Sequence, residues 1–263
     1  MSDTDGLQRI AALRIDGGER REFDDSVIVE APIAFTYNGI AHAVMLATPT
    51  DLDDFALGFS LSEGIVDEAS QLQLVEIRRN AQGIALELAV PQHCFDRLAS
   101  RNRQFVGASG CGLCGLGSLE QTLRPAPVVT DEHRVRIGDI VEGMRRLHDA
   151  QPLNRKSGGV HAAAWVTHGS LCIREDVGRH NALDKLVGAM ARTSRDDGFL
   201  ALSSRASYEL VHKAACASIG IVAVISAPTT LAIELAERSN ITLIAFARGE
   251  QMNVYSHSWR IDG

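Results

Sequence analysis

The last third of the chain alternates short apolar stretches with amphipathic ones, and this alternation restricts the fold more than any other feature. Strands are predicted at Phe199 to Leu202, Ile221 to Ser226 and Ile241 to Phe246, with helices between them at Tyr208 to Ala217 and Thr230 to Arg238. Short turns between alternating strands and helices favour a partly parallel sheet covered by helices.

The residues before this region predict a further hairpin and helix. The apolar runs Val160 to Val166 and Leu171 to Ile173 predict the hairpin, a helix follows Gly178, and residues 154–159 are predicted to form a polar connector. Because Pro125 interrupts the chain beforehand, we predict a C-terminal α/β domain at 125–263 with a mixed, partly parallel sheet. A helix at Ile137 to His148 belongs to it.

The beginning of the chain predicts a smaller N-terminal α+β domain at 1–106. Hairpins are predicted at Ile33 to Ala47 and from the alternating runs Leu72 to Arg78 and Ile84 to Val90. In the first, Asn38-Gly39 suits a type I′ turn because both positions need positive φ. Between the hairpins we predict a helix with Thr50 as its N-cap and Gly64 as its stop. The first twenty or so residues receive no role.

Charge and hydropathy exclude several classes of protein. The chain has 263 residues, with 26 Lys and Arg against 33 Asp and Glu, so its net charge is −7. Generic nucleic-acid binding needs concentrated positive charge, and a membrane helix needs about 20 consecutive apolar residues; the sequence has neither. We therefore expect a cytoplasmic protein with no nucleic-acid or membrane partner, in which local basic groups hold any anionic ligand.

A glycine-rich stretch at 107–124, predicted to be a mobile loop, carries the closely spaced Cys111 and Cys114. Three interpretations of the pair stay open: transfer or redox thiols, which must ionise to react, half of a zinc site, or a plain loop. A zinc deaminase is excluded, because the residues after His161 lack the glutamate that its chemistry needs. The remaining cysteines are most simply small buried apolar residues: Cys94, Cys172 and Cys216.

Hydroxyl and basic side chains recur at the predicted strand-to-helix turns. They are Arg179 and His180 after Gly178, Ser203 and Arg205 with their neighbours Ser204 and Ser207, and the stretch Ser226 to Thr230. Free N–H groups at helix N-termini favour phosphate, and three such turns at one sheet edge would form a nucleotide-sized pocket. Plain helix capping is the alternative explanation for each turn.

The end of the last predicted strand offers a place for a base. Phe246 and Arg248, followed by the flexible Gly249, could stack a base and hold its phosphate, and an ordinary strand terminus is the alternative. The sequence contains neither a P-loop nor a dinucleotide-binding glycine motif.

Several segments together resemble the formate dehydrogenase accessory sulfurtransferase family (FdhD). They are Gly107-Ala-Ser-Gly-Cys-Gly-Leu-Cys-Gly, Ser157-Gly-Gly-Val-His-Ala-Ala, Glu175-Asp-Val-Gly-Arg-His-Asn-Ala-Leu-Asp-Lys, Ser203-Ser-Arg-Ala-Ser-Tyr-Glu-Leu-Val and Phe246-Ala-Arg-Gly. The resemblance runs from about Val27 to Ser256. The long block beginning at Glu175 together with the cysteine pair is far more specific than either alone.

The resemblance implies a sulfur carrier that takes persulfide sulfur from a cysteine desulfurase. It would pass the sulfur to the bis(molybdopterin guanine dinucleotide) cofactor of molybdenum or tungsten before apo-formate dehydrogenase receives it. Cys111 would carry the persulfide, Cys114 would assist, and no zinc is expected. The family's cofactor-contacting segment would fall on Ala245, Phe246, Ala247, Arg248, Gly249 and Glu250, and the turns with Arg179, His180, Ser203 and Arg205 would bind the guanine-nucleotide arms.

The same resemblance implies a homodimer whose C-terminal three-layer domain is cytidine-deaminase-like. A function from a different class stays open beside it. The protein could be a non-enzymatic chaperone that holds the cofactor and docks on formate dehydrogenase, with the cysteine pair serving only a structural zinc.

Overall fold

The computed structural model describes residues 6–106, 125–193 and 195–263. Helices in these ranges are α1 (Leu52–Ser62), α2 (Gln92–Val106), α3 (Ile137–Asp149), α4 (Pro152–Ser157), α5 (Arg179–Ala191), α6 (Tyr208–Cys216) and α7 (Thr230–Arg238). Strands are β1 (Leu7–Asp16), β2 (Glu19–Ile28), β3 (Ala31–Tyr37), β4 (Ile40–Ala47), β5 (Gln73–Asn80), β6 (Gly83–Ala89), β7 (Val135–Arg136), β8 (His161–Val166), β9 (Leu171–Asp176), β10 (Phe199–Leu202), β11 (Ile221–Val224), β12 (Thr242–Arg248), β13 (Gln251–Val254) and β14 (Ile261–Asp262). Of the helices just given, none has the length and apolar character needed to cross a membrane.

A six-stranded sheet forms the centre of the C-terminal part, with strand order β13-β12-β11-β10-β8-β9. The strands β10, β11 and β12 are parallel, whereas β8, β9 and β13 join through antiparallel pairs. Apolar side chains of α5, α6 and α7 pack on one face and those of α3 on the other. The predicted mixed, partly parallel sheet covered by helices is confirmed.

A four-stranded sheet of order β4-β3-β6-β5 forms the N-terminal part. The two predicted hairpins are its outer pairs, and a parallel pairing of β3 with β6 joins them. Asn38 and Gly39 have φ values of 48° and 82°, as a type I′ turn requires. The helices α1 and α2 cover one face, where the rings of Phe35 and Phe55 meet edge to face at 5.1 Å between centroids.

Three local features differ from the sequence prediction. The first residues, which received no role, form the hairpin of β1 and β2, paired from Leu7 with Ile28 to Asp16 with Glu19. Most of its side chains are exposed, so no apolar alternation marks it. The predicted connector at 154–159 instead overlaps helix α4. The buried Glu175 carboxylate accepts backbone N–H bonds from Leu153 and Asn154 at the start of that helix, each at 2.9 Å.

The N-cap of α1 also differs from the prediction. Asp51 rather than Thr50 precedes the helix, in the left-handed conformation with φ 51°. Thr50 lies one residue earlier, where its hydroxyl lies 3.3 Å from the ammonium of Lys185 in helix α5. Gly64, with φ 63°, lies just past the C-cap, so the predicted stop is confirmed.

Helices α1 and α5 cross at close range and join the two sheet-forming parts. A Cβ built on Gly58 would lie 1.6 Å from the carbonyl oxygen of Asp184, and one on Gly188 would lie 1.9 Å from that of Asp54. Beside the crossing, the buried Lys213 ammonium lies 2.8 Å from the buried Asp184 carboxylate. Charges placed this deep are held only with close partners. The predicted division at residues 107–124 stays a prediction, because those residues lie outside the described ranges.

Candidate functional site at the carboxyl edge of the sheet

The three predicted turns come together at one edge of the six-stranded sheet. The carboxyl ends of β10, β11 and β12 lie side by side there, because the strands are parallel. Backbone bonds continue past the strands: Ser226 N donates to Ser204 O at 3.3 Å, and Phe246 N donates to Ser226 O at 3.2 Å. In open α/β sheets this edge is where ligands bind.

Helix α5 brings the third turn to the same edge. His180, in its first turn, places Nε2 2.7 Å from the Glu209 carboxylate and 3.5 Å from the Ser207 hydroxyl at the start of α6. The hydrogen bond from His180 lowers the pKa of Glu209 below its ordinary value. An ionised Glu209 therefore orients the His180 ring. The sequence analysis did not single out Glu209. It could have been found from its position in the first turn of a predicted helix, directly after a serine-rich turn.

His161 begins β8 and contributes to the same edge, since it pairs with Asp176 at the end of β9. Burial of its ring, together with the nearby charges of Arg179 and His180, lowers the pKa of His161. The neutral imidazole is therefore favoured near neutral pH, and it can accept a proton there. The sequence left the role of His161 open.

Arg179 has a buried side-chain donor without an acceptor in the described part of the chain. Its Nε atom is buried, and it has no hydrogen-bond partner among the residues that the structure describes. A buried donor without an acceptor is costly, so its position favours an acceptor that the described residues do not supply. The nearby Arg205 is exposed on the turn after β10, whereas the Ser203 hydroxyl accepts a bond from Ala162 N at 2.8 Å.

Phe246 has an unusual backbone for an aromatic residue, with φ 54°. Bulky residues rarely adopt this left-handed conformation, and where the surrounding structure imposes it a functional role is a reasonable hypothesis. Because of this left-handed conformation, the side chain of Ala245 lies in the core beneath α5, α6 and α7, whereas that of Ala247 lies in the core on the other face of the sheet. The Phe246 ring stays 40% exposed. The ring is therefore presented at the edge.

The other residues of the predicted cofactor-contacting segment differ in how exposed their side chains are. Ala245 and Ala247 bury their side chains, so only their backbone is available to a ligand. Arg248, Gly249 and Glu250 are exposed, and Arg248 Nε is anchored by donating to Ile225 O at 3.0 Å. A cleft of about 720 Å³ lies between Phe246 and Glu250, strand β13, and the side chains of Ile137 and Ile261. Its volume is within the range of ligand sites, but none of the residues on the three turns lines it.

The length of the edge sets the size of what it can hold. Three strand spacings separate β12 from β8, which amounts to about 14 Å at the usual spacing of about 4.8 Å. Phe246 lies at one end and the group of His161, Arg179 and His180 at the other. That distance suits an extended nucleotide better than a single phosphate. Cys111 and Cys114, predicted to carry the chemistry, lie outside the described residues.

The FdhD/NarQ family model matches residues 28–262. The chain belongs to the FdhD/NarQ family. It is 48% identical over 250 residues to the "Sulfur carrier protein FdhD" of Xanthomonas euvesicatoria pv. vesicatoria (strain 85-10), covering 94% of this chain and 89% of that protein. It is 49% identical over 243 residues to the protein of the same name from Variovorax paradoxus (strain S110), covering 91% and 87%.

The fold is also similar to a solved structure. A protein from Desulfotalea psychrophila, described as a formate dehydrogenase accessory protein, superposes with a TM-score of 0.75 and 26% sequence identity. The match covers 97% of this FdhD/NarQ family chain and 99% of the other. The resemblance found in the sequence motifs is thus confirmed over nearly the whole chain.

Proposed function

We propose that this FdhD/NarQ family protein is a sulfurtransferase required for formate dehydrogenase activity. It takes sulfur from a cysteine desulfurase and passes it to the bis(molybdopterin guanine dinucleotide) cofactor of molybdenum or tungsten. The observation that carries the proposal is the 48% identity to a protein named sulfur carrier protein FdhD, in a match that covers 89% of that protein's length. We further propose that it acts in the cytoplasm as a homodimer, and that its three-layer C-terminal part is cytidine-deaminase-like.

The cysteine pair accounts for the transfer chemistry. The Cys111 thiolate attacks the outer sulfur of the desulfurase persulfide, which breaks the S–S bond there and releases the desulfurase cysteine as a thiolate. The product is a persulfide on Cys111. The Cys114 thiolate then attacks the inner sulfur of that persulfide, a Cys111–Cys114 disulfide forms, and hydrosulfide leaves to the cofactor. A cellular dithiol restores the two thiols for the next cycle.

The carboxyl edge of the sheet supplies the proposed binding place for the cofactor. Arg179, Arg205 and the N-terminus of α5 would hold the diphosphate groups, and the Phe246 ring would stack on a guanine. The Arg179 Nε, which lacks an acceptor among the described residues, and the exposed ring at the opposite end of the edge support this arrangement. His180, held by Glu209 at 2.7 Å, would donate to the same anion.

The experiment that tests the transfer function is peptide mass spectrometry. The purified protein is incubated with an active cysteine desulfurase and cysteine, without reductant. One additional sulfur is expected on the peptide that contains Cys111, and dithiothreitol is expected to remove it. If the desulfurase turns over and no adduct forms, the sulfurtransferase proposal is wrong.

Replacing Arg205 with alanine is expected to weaken binding of guanosine diphosphate by about 10- to 100-fold. A charge-assisted hydrogen bond contributes about 1.5–3 kcal/mol, and Arg205 is exposed, so its loss leaves the core packing unchanged. Isothermal titration calorimetry measures the affinity. Arg238→Ala is the matched control, because Arg238 is also exposed but lies in the last turn of α7, away from the edge. Unchanged affinity in the Arg205 variant would remove that residue from the site.

A further inference from the structure

A second group of reactive side chains lies in the N-terminal part, away from the carboxyl edge. Asp67, His93 and Cys94 each place a potential ligand atom within 4.8 Å of the other two. His93 and Cys94 are the second and third residues of α2, and Asp67 lies in the segment between α1 and β5. Cys94 is fully buried while the other two are exposed, so the group is anchored on one side and open on the other.

The distance between the Cys94 sulfur and the His93 ring nitrogen matches a tetrahedral zinc site. With Zn–S of about 2.3 Å and Zn–N of about 2.0 Å, the sulfur and nitrogen ligands of a tetrahedron lie about 3.5 Å apart. The Cys94 sulfur lies 3.3 Å from His93 Nε2 and 3.7 Å from Gln71 Oε1. The side chain of Gln71 is itself fixed, because Oε1 accepts a bond from Asp67 N at 2.7 Å. The carboxylate of Asp67 lies within 4.8 Å of both the sulfur and the ring nitrogen, so it must move closer to them to complete the site.

Arg97 lies beside these three side chains. One of its terminal nitrogens lies 3.1 Å from the Asp67 carboxylate and 3.9 Å from the Cys94 sulfur. The same nitrogen donates to Ile65 O at 2.9 Å. A metal ion would replace the guanidinium beside Asp67, and Arg97 would retain Ile65 as its acceptor. The ion would then compensate the charge of Asp67, as the Arg97 guanidinium does in the structure.

We propose that Asp67, His93 and Cys94 bind one Zn²⁺, with Gln71 or a water molecule as the fourth ligand. Thiolate, imidazole and carboxylate ligands together bind zinc in preference to magnesium or calcium. The thiol of Cys94 releases its proton to solvent on binding. The site would tie the start of α2 to the segment after α1, and it does not depend on the sulfurtransferase proposal. The predicted burial of Cys94 is confirmed, and the proposal adds a ligand role to it and departs from the expectation of no zinc.

The test measures zinc and cobalt binding by the full chain carrying Cys111→Ser and Cys114→Ser, which prevents ligation by the other cysteine pair. About one equivalent of zinc is expected to remain after gel filtration. Cobalt is expected to give the near-ultraviolet charge-transfer band of a thiolate complex. His93→Asn should weaken zinc binding by about tenfold or more, since even groups that only support a ligand change metal affinity by about 10- to 100-fold.

Two further variants separate ligation from folding. Cys94→Ala should remove the cobalt charge-transfer band, and the exposed His93→Asn provides a second readout if the buried Cys94 variant folds poorly. The matched controls are Cys172→Ala, at a cysteine outside the group, and His168→Asn, at an exposed histidine; both should retain zinc and the band. No zinc retained by the parent chain, or zinc binding unchanged in both His93→Asn and Cys94→Ala, would overturn the proposal.

Discussion

Replacing Cys111 with alanine is expected to abolish activation of formate dehydrogenase while leaving the protein folded. In the proposed mechanism no other group forms the persulfide, so the loss should be complete rather than partial. The measurement is formate dehydrogenase activity in extracts of cells that express only the variant, compared with cells that lack the protein altogether. Circular dichroism of the purified variant checks that it is folded.

The matched control for this experiment is Cys172→Ala, because Cys172 is a partly buried cysteine of β9. Its activity is expected to stay near that of the parent chain. Full activity in the Cys111 variant would contradict the carrier role. If the parent chain also held zinc on its cysteine pair, with both thiols unreactive to alkylation, the non-enzymatic chaperone would become the better explanation.

The composition of the candidate site could be predicted in part. Turns with serine, arginine and histidine were recognised from the sequence, and parallel strands necessarily bring such turns to one edge. The structure adds what spacing alone does not contain. Glu209 fixes His180 across two helices, and Phe246 adopts a left-handed backbone that exposes its ring. Both depend on how α5, α6 and β12 are packed.

The group of Asp67, His93 and Cys94 could not be predicted from the sequence. Asp67 and Cys94 are separated by 26 intervening positions that include a hairpin, and no short motif connects them. Packing of α2 against the four-stranded sheet brings them together. A spacing rule for metal ligands has no way to detect such a site, because the ligands become neighbours only in the folded chain.

The fold itself was predicted where apolar periodicity was strong. The hairpin at β3 and β4 and the alternation from β10 to β12 follow directly from it. The hairpin of β1 and β2 was not predicted, because a mostly exposed pair of strands has no buried face that would produce alternating apolar residues. Helix α4 was not predicted, because its N-terminus is capped by Glu175 of β9 and the local sequence does not contain that cap.

Replacing Gly58 with alanine is expected to destabilise the protein by more than about 4 kcal/mol, a large share of the about 5–15 kcal/mol that stabilises a typical protein. The new Cβ would lie 1.6 Å from Asp184 O and 2.7 Å from Gly188 N, and these backbone atoms have no rotamer to change. Helices α1 and α5 would have to separate. Urea unfolding followed by circular dichroism measures the change.

Gly138→Ala is the control, since Gly138 also lies in a helix but a Cβ there meets nothing within 4 Å. Alanine is a better helix former than glycine by up to about 1 kcal/mol, so this variant should be as stable as the parent or slightly more. The contrast matters because separating α1 from α5 would also pull Ser62 and Asp184 apart, which share a buried hydrogen bond of 2.6 Å next to Lys213. Equal stability of the Gly58 and Gly138 variants would mean that the two helices do not cross at this distance. The buried charges beside them would then need another explanation for their close pairing.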